Sequence, residues 1–143
     1  MTVSGNDQVK ASKARVLVVD DYPDSAEISS ILLTFYGYEC RIAVTGQGAL
    51  EQAAEFDPDV VILDIDLPDI SGYDVARTLR TRAGGRALYL AAVTGWGQLQ
   101  DRVKAVAAGF DQHVLKPIDA SKILQILQLA DRTLNREAAD LAP

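Results

Sequence analysis

Residues 60–68 read Val60-Val-Ile-Leu-Asp64-Ile-Asp66-Leu-Pro68, four apolar residues that run straight into an acidic turn. A run this short, rich in β-branched side chains and preceded by Asp57-Pro58, reads as a strand covered on both faces. Three other stretches share the design. Arg15-Val-Leu-Val-Val19 stops at Asp20-Asp21, Ala87 to Val93 stops at Thr94-Gly95-Trp96-Gly97, and a short run from Gln112 to Leu115 stops at Lys116-Pro117. One more strand, Cys40-Arg-Ile-Ala-Val44, ends at Thr45 without a charged group.

Helical spacing fills the gaps between strands. Ile28, Ile31, Leu32 and Phe35 repeat at that spacing after Pro23, and Gly37 closes the segment. Ala49, Leu50, Ala53 and Ala54 make a small-residue helix that ends at Asp57-Pro58. Val75, Ala76 and Leu79 mark a third, with Ser71 as its cap and Asp74 as a capping-box acid. Leu99, Val103 and Val106 belong to a fourth, ended by Gly109. The fifth begins near Asp119, buries Ile123, Ile126 or Leu127, Ala130 and Leu134, and is predicted to fade into the polar stretch Asn135 to Pro143.

Strands and helices that alternate in this way argue for an α/β fold, a doubly wound, five-stranded parallel sheet. Right-handed crossovers leave the flavodoxin-like order 2-1-3-4-5 as the leading topology. The domain is predicted to occupy residues 15–134, between a polar N-terminal tail (1–14) and a C-terminal tail (135–143).

A chain of 143 residues, 48% hydrophobic and 24% charged, suits one globular domain and leaves no room for a second. Its net charge of −6 repels phosphate backbones and anionic lipid, so neither nucleic acid nor membrane is expected as a direct partner. Met1 to Ala14 lacks the apolar core of a signal peptide, and no apolar run approaches the ~20 residues of a spanning helix. The expected location is cytoplasmic. Cys40 is the only cysteine and, within a strand, is expected to be a buried, inert thiol.

In a parallel sheet the residues just past the strand ends gather along one edge, which brings Asp20, Asp21, Asp64, Thr94 and Lys116 into one crevice. Two carboxylates ~4 Å apart repel by about 4 kcal/mol at an effective dielectric of 20, so the cluster calls for a cation. Mg²⁺, or a similar divalent ion such as Mn²⁺, suits carboxylates, a backbone carbonyl and waters, with positions left for phosphate oxygens. Lys116 adds a point charge and Thr94 a hydroxyl. Taken singly these residues have plainer readings. Asp20 or Asp21 could be an N-cap, Asp64 and Thr94 turn residues, and Lys116 a solvated surface lysine. Their convergence on four strand ends favours the chemical reading.

The set Val19-Asp20-Asp21, Leu63-Asp64-Ile-Asp-Leu-Pro68 with Gly72, Val93-Thr94-Gly95 and Leu115-Lys116-Pro117 resembles the receiver domain of two-component response regulators. The resemblance runs from about Arg15 to Leu134 and is closest in look to stand-alone receivers or those of hybrid histidine kinases. It implies that Asp64 accepts a phosphoryl group from a histidine kinase or a histidine phosphotransfer protein. It also implies that Asp20, Asp21, Asp64 and the main-chain carbonyl of Asp66 hold Mg²⁺, and that Thr94 and Lys116 contact the phosphoryl oxygens. The Lys116–Pro117 peptide is expected to be cis. Such a domain promotes its own phosphorylation and dephosphorylation and is not an enzyme in the usual sense. Its message passes by binding an unknown downstream protein, as a monomer or weak homodimer, because no output domain fits in the tails.

This chain departs from that family at one switching position, three residues before the lysine. Where an aromatic residue is usual it has His113, its only histidine. Two readings stand for His113: a half-buried strand residue, or a partner of Thr94 in switching that makes the output face pH-sensitive. Trp96 is expected to cover the site or touch a partner.

Three rival readings stand beside this one. Asp64-Ile-Asp66 is similar to the DxD opening of haloacid-dehalogenase-type phosphatases, but here Asp20-Asp21 precede it and no acidic pair follows Lys116. A flavin or nucleotide binder would need a glycine-rich phosphate loop after the first strand, where Asp-Asp-Tyr-Pro stands instead. The third is an interaction module whose acidic site never meets phosphate.

Overall fold

A computed structural model describes residues 14–95, 97 and 99–141, so residues 1–13 of the N-terminal tail, Trp96 and the last two residues of the C-terminal tail lie outside the described residues. Five parallel strands, β1 (Arg15–Val19), β2 (Glu39–Ala43), β3 (Val60–Asp64), β4 (Tyr89–Thr94) and β5 (Gln112–Leu115), form one sheet in the order β2-β1-β3-β4-β5. The helices are α1 (Pro23–Phe35), α2 (Gly46–Phe56), α3 (Gly72–Ala83), α4 (Leu99–Ala108) and α5 (Ala120–Leu141). This is the doubly wound, flavodoxin-like α/β architecture that the alternation of elements predicts.

Register explains the near-continuous apolar runs. Val16 to Val19 pair with β2 on one side and β3 on the other, so β1 is a central strand, and β3 is held likewise between β1 and β4. Alternate residues then feed two separate cores. Leu17, Val61, Leu63 and Leu90 pack against α2 and α3 through Ala49, Val75, Ala76 and Leu79. Val16, Val18, Val60 and Ile62 face the other way, toward Ala26 and Leu33 of α1 and Ile123, Ile126 and Leu127 of α5. Each buried aliphatic side chain contributes about 1.5–3 kcal/mol.

Helical periodicity locates α1 but not its buried face. Ala26, Ser29 and Leu33 are buried, whereas Ile28, Ile31 and Phe35 are exposed, Phe35 at 82%. A 3.6-residue stripe marks a face without saying which neighbour covers it, and α1 seats its smaller residues on the sheet. Likewise α4 buries Ala105 and Ala108 and exposes Val103 and Val106. The last helix does not fade at Asn135 but runs to Leu141. Between Asn135 and Leu141 there is neither glycine nor proline, and Arg, Glu, Ala and Leu are good helix formers.

Cap chemistry sets the loops that carry the strand ends. Ser71 Oγ accepts from Tyr73 N at 3.2 Å, as a cap should, but Asp74 forms no capping box and pairs instead with Arg77 at 2.7 Å. Gly37 takes φ 91° after α1, the left-handed geometry in which glycine is unstrained. Cys40 is half-buried in β2 rather than buried as expected, because β2 is an edge strand, and burial raises the pKa of its thiol against a hydrogen bond with Ser30 that lowers it. Among the described residues no helix is long and apolar enough to cross a membrane.

Candidate functional site

At the C-terminal edge of the sheet, β1 and β3 lie side by side at the point where the strand order reverses. Their ends bring Asp20, Asp21 and Asp64 together, with one carboxylate oxygen from each within 4.8 Å of the others. Asp64 is 1% exposed, Asp20 is half-buried and Asp21 is exposed. A cleft of about 520 Å³ opens beside them, lined by Asp20, Asp21, Tyr22, Ser25, Lys116 and Pro117 among others.

Asp64 is held at both carboxylate oxygens. Oδ1 accepts from the Asp66 amide at 3.0 Å and Oδ2 from the Lys116 ammonium at 2.8 Å. Burial pushes the Asp64 pKa up; the Lys116 and Asp66 hydrogen bonds and the Lys116 charge pull it back, and the Asp20 charge pushes it further up. Burial tends to lower the Lys116 pKa, but the bond and charge of Asp64, with Asp20 and Asp21 behind it, leave it raised. Thr94 is buried at the end of β4, and its carbonyl accepts from Lys116 N at 2.8 Å, tying β5 to β4 just where their polar residues emerge. The Lys116–Pro117 peptide is cis.

Neither Asp20 nor Asp21 is an N-cap. The cap position of α1 is Tyr22, which makes no side-chain cap bond, while Asp20 Oδ1 accepts from Tyr22 N at 2.9 Å within the loop. The remaining acid, Asp66, is exposed. His113 lies apart from the acids, opposite Ala92 in the β4–β5 pairing. Its Nε2 is buried and has no hydrogen-bond partner among the described residues. Burial lowers its pKa below the usual 6.5; Arg102 adds to this and Asp101 opposes it.

Two further residues build the site: Gly72, whose place in the motif gave no reason for it, and Asp69, which carries no local signal. Gly72 packs so tightly under the β3–α3 loop that a Cβ would stand 2.6 Å from both the Asp64 carbonyl and the Ile65 Cα. Asp69 reaches from the same loop to the start of α2, accepting from Gly46 N at 2.7 Å and Gln47 N at 2.9 Å. Those amide bonds lower its pKa, as expected for a carboxylate at a helix N-terminus.

An acidic crevice at the switch point of a five-stranded parallel sheet, with a buried acid bound to a lysine from β5, defines a class of signalling domain. Residues 16–128 match the family model described as the response regulator receiver domain, and the chain belongs to that family. It is 44% identical over 126 residues to the transcriptional regulatory protein KdpE of Mycobacterium tuberculosis, covering 88% of this chain and 54% of that protein. It is 33% identical over 129 residues to the DNA-binding response regulator MtrA of Mycolicibacterium smegmatis, covering 90% and 55%. The chain thus spans about half the length of these relatives. Among solved structures, a CheY-like receiver domain protein of Methanospirillum hungatei superimposes with a TM-score of 0.78 at 26% identity, over 90% of this chain and 98% of that one.

Proposed function

We propose that this domain is the phosphoacceptor of a two-component or phosphorelay system, taking a phosphoryl group on Asp64 from a phosphohistidine in a histidine kinase or phosphotransfer protein. The observation that carries this reading is the charge imbalance: among the described residues three carboxylates within 4.8 Å share the Lys116 ammonium, and the most buried of them holds it. Each carboxylate pair at that distance repels by roughly 3–4 kcal/mol at an effective dielectric of 20. The donor set, all hard oxygen, fits Mg²⁺ or Mn²⁺, held by Asp20, Asp21, Asp64 and the Asp66 carbonyl. When bound, such an ion would supply positive charge to the site and to phosphoryl oxygens.

The chain's own groups do the rest. A carboxylate oxygen of Asp64 forms the new O–P bond as the N–P bond of the donor imidazole breaks, and the electron pair leaves with the imidazole nitrogen. Lys116 then gives up part of its contact with Asp64 to a phosphoryl oxygen, and the Thr94 hydroxyl serves another. Thr94 and His113 act as the switch pair that reports the event to the partner-binding face. Hydrolysis of the acyl phosphate at the same site resets the domain.

The downstream partner is a protein, in the cytoplasm, and the domain works as a monomer or weak homodimer. A second arrangement is favoured by the relatives, about twice as long and in one case named as DNA-binding. In it this domain is the receiver of a transcription regulator and acts on DNA through an effector domain, because its own charge of −6 opposes direct contact.

Intact-mass measurement after treatment with acetyl phosphate and Mg²⁺ tests the reading. The parent is expected to gain one phosphoryl group, and neither Asp64→Asn nor the parent in excess chelator should do so. Label on Asp64→Asn, or none on the parent with any phosphodonor, would overturn it.

A further inference from the structure

Lys122 stands in the first turn of α5, where unpaired amides already present partial positive charge and an ammonium is unfavourable. Its own amide is satisfied by the helix cap, donating to Asp119 Oδ1 at 2.9 Å. The side chain turns back across the cap. Its Nζ donates to the Leu115 carbonyl at 2.6 Å and to the Pro117 carbonyl at 3.0 Å. These are the carbonyls on either side of Lys116, whose own amide is bound to Thr94 O and whose own ammonium is bound to Asp64.

Pro117 has no N–H, so the segment after Lys116 is short of a donor to anchor it, and fastening must come through its carbonyls. An ammonium suits this: three donors, no acceptor, and enough stem to reach two oxygens. The cost of a cation at a helix N-terminus is offset there by two charge-assisted hydrogen bonds. We propose that Lys122 is a positioning residue for Lys116: by gripping the backbone on both sides of it, Lys122 fixes the direction from which the Lys116 ammonium reaches Asp64. The proposal rests on the reading of Asp64 as phosphoacceptor.

The test is a double-mutant cycle between Lys122→Met and Lys116→Met, followed by the rate of acetyl phosphate labelling in Mg²⁺. Lys122→Met is expected to slow labelling about tenfold, since a misplacement near 1 Å is worth up to ~100-fold. Mg²⁺ affinity, read by thermal shift, should change less than about twofold, because the three acids are untouched. Lys122→Arg should restore most of the rate, and in the Lys116→Met background Lys122→Met should have no further effect. Equal slowing in both backgrounds would reduce Lys122 to scaffolding, and a parent-like rate for Lys122→Met would remove its role. A readout free of phosphoryl chemistry separates this failure from failure of the phosphoacceptor reading. Hydrogen exchange of the Lys116 amide, which is bound to Thr94 O, should speed up severalfold in Lys122→Met, and exchange identical to the parent's would overturn the proposal even if Asp64 is labelled.

Discussion

The two edges of this sheet treat their acids in opposite ways. At the N-terminal edge three acids have cationic company: Asp57 and Asp59 with Arg86 at 2.8 and 3.5 Å, and Asp111 with Arg80 at 2.9 Å. These acids also do backbone work, Asp59 accepting from Arg15 N and Asp111 from Leu90 N at the starts of β1 and β4. At the C-terminal edge Asp20, Asp21 and Asp64 crowd together, and among the described residues the Lys116 ammonium is bound to Asp64. Charge at the first edge is balanced within the fold; at the second it is left in negative excess. The contrast separates acids that fasten strands from acids whose charge the fold leaves unmatched.

The largest expected effect breaks the settled edge. Arg80 donates to the carbonyls of Leu88 and Gly109 as well as to Asp111, so Arg80→Met takes this donor from two carbonyls and leaves Asp111 with only its bond from Leu90 N. A loss of about 2–3 kcal/mol follows, or roughly 10 °C in the thermal midpoint. Labelling of the folded fraction should stay within about twofold of the parent. A stable Arg80→Met would mean that this edge is as loosely matched as the other.

The crowded edge should respond with the opposite sign. Asp20→Asn removes one of the like charges and keeps an oxygen to accept from Tyr22 N, so in chelator it is expected to be more stable than the parent by about 1 kcal/mol after allowance for solvent screening. Mg²⁺ should then reverse the ranking: a ligand at 100 times its Kd adds about 2.7 kcal/mol to the parent and less to a variant that binds it weakly. Thermal melts with chelator and with Mg²⁺ measure both. If Asp20→Asn is the less stable in chelator, repulsion is not what the site stores.

How far these edges could be read from sequence follows from the range of the forces that build them. Strand ends are local events: an apolar run that stops at Asp20, Asp64, Thr94 or Lys116 is visible in the chain, and parallel topology then brings the four ends together. The strand order and five helices were legible for the same reason. Less legible was what depends on a distant partner. Asp69 closes the start of α2 from 23 residues away in sequence, and nothing around it announces that use. The burial of Leu33 rather than Ile31 in α1 depends on how the helix settles on β1 and β2, and the periodicity of apolar residues cannot report it. Gly72 was visible as part of a motif, but its reason, a backbone closer than any Cβ permits, appears only in three dimensions.

His113 gives the smallest effect and sharpens the comparison from between the edges, since it is a titratable group belonging to neither. Its neighbours are Arg102 and Asp101 on α4, with Asp111 and Gln112 lining the same cleft of about 310 Å³. Burial, aided by Arg102 against Asp101, lowers the folded-state pKa beneath 6.5, so the unfolded chain takes up a proton first as the pH falls. The neutral ring therefore contributes stability that is fully present above about 6.5 and is lost as the pH drops through that value toward the lower folded pKa. Replacing it by glutamine, which carries no titratable proton, should flatten the melting-temperature profile between pH 7 and 5 by about 1–2 °C relative to the parent. Proton linkage here should also be insensitive to Mg²⁺, whereas any pH dependence from Asp64 must change when the cation binds. Profiles of parent and His113→Gln that run parallel across this range would remove His113 as a source of pH response.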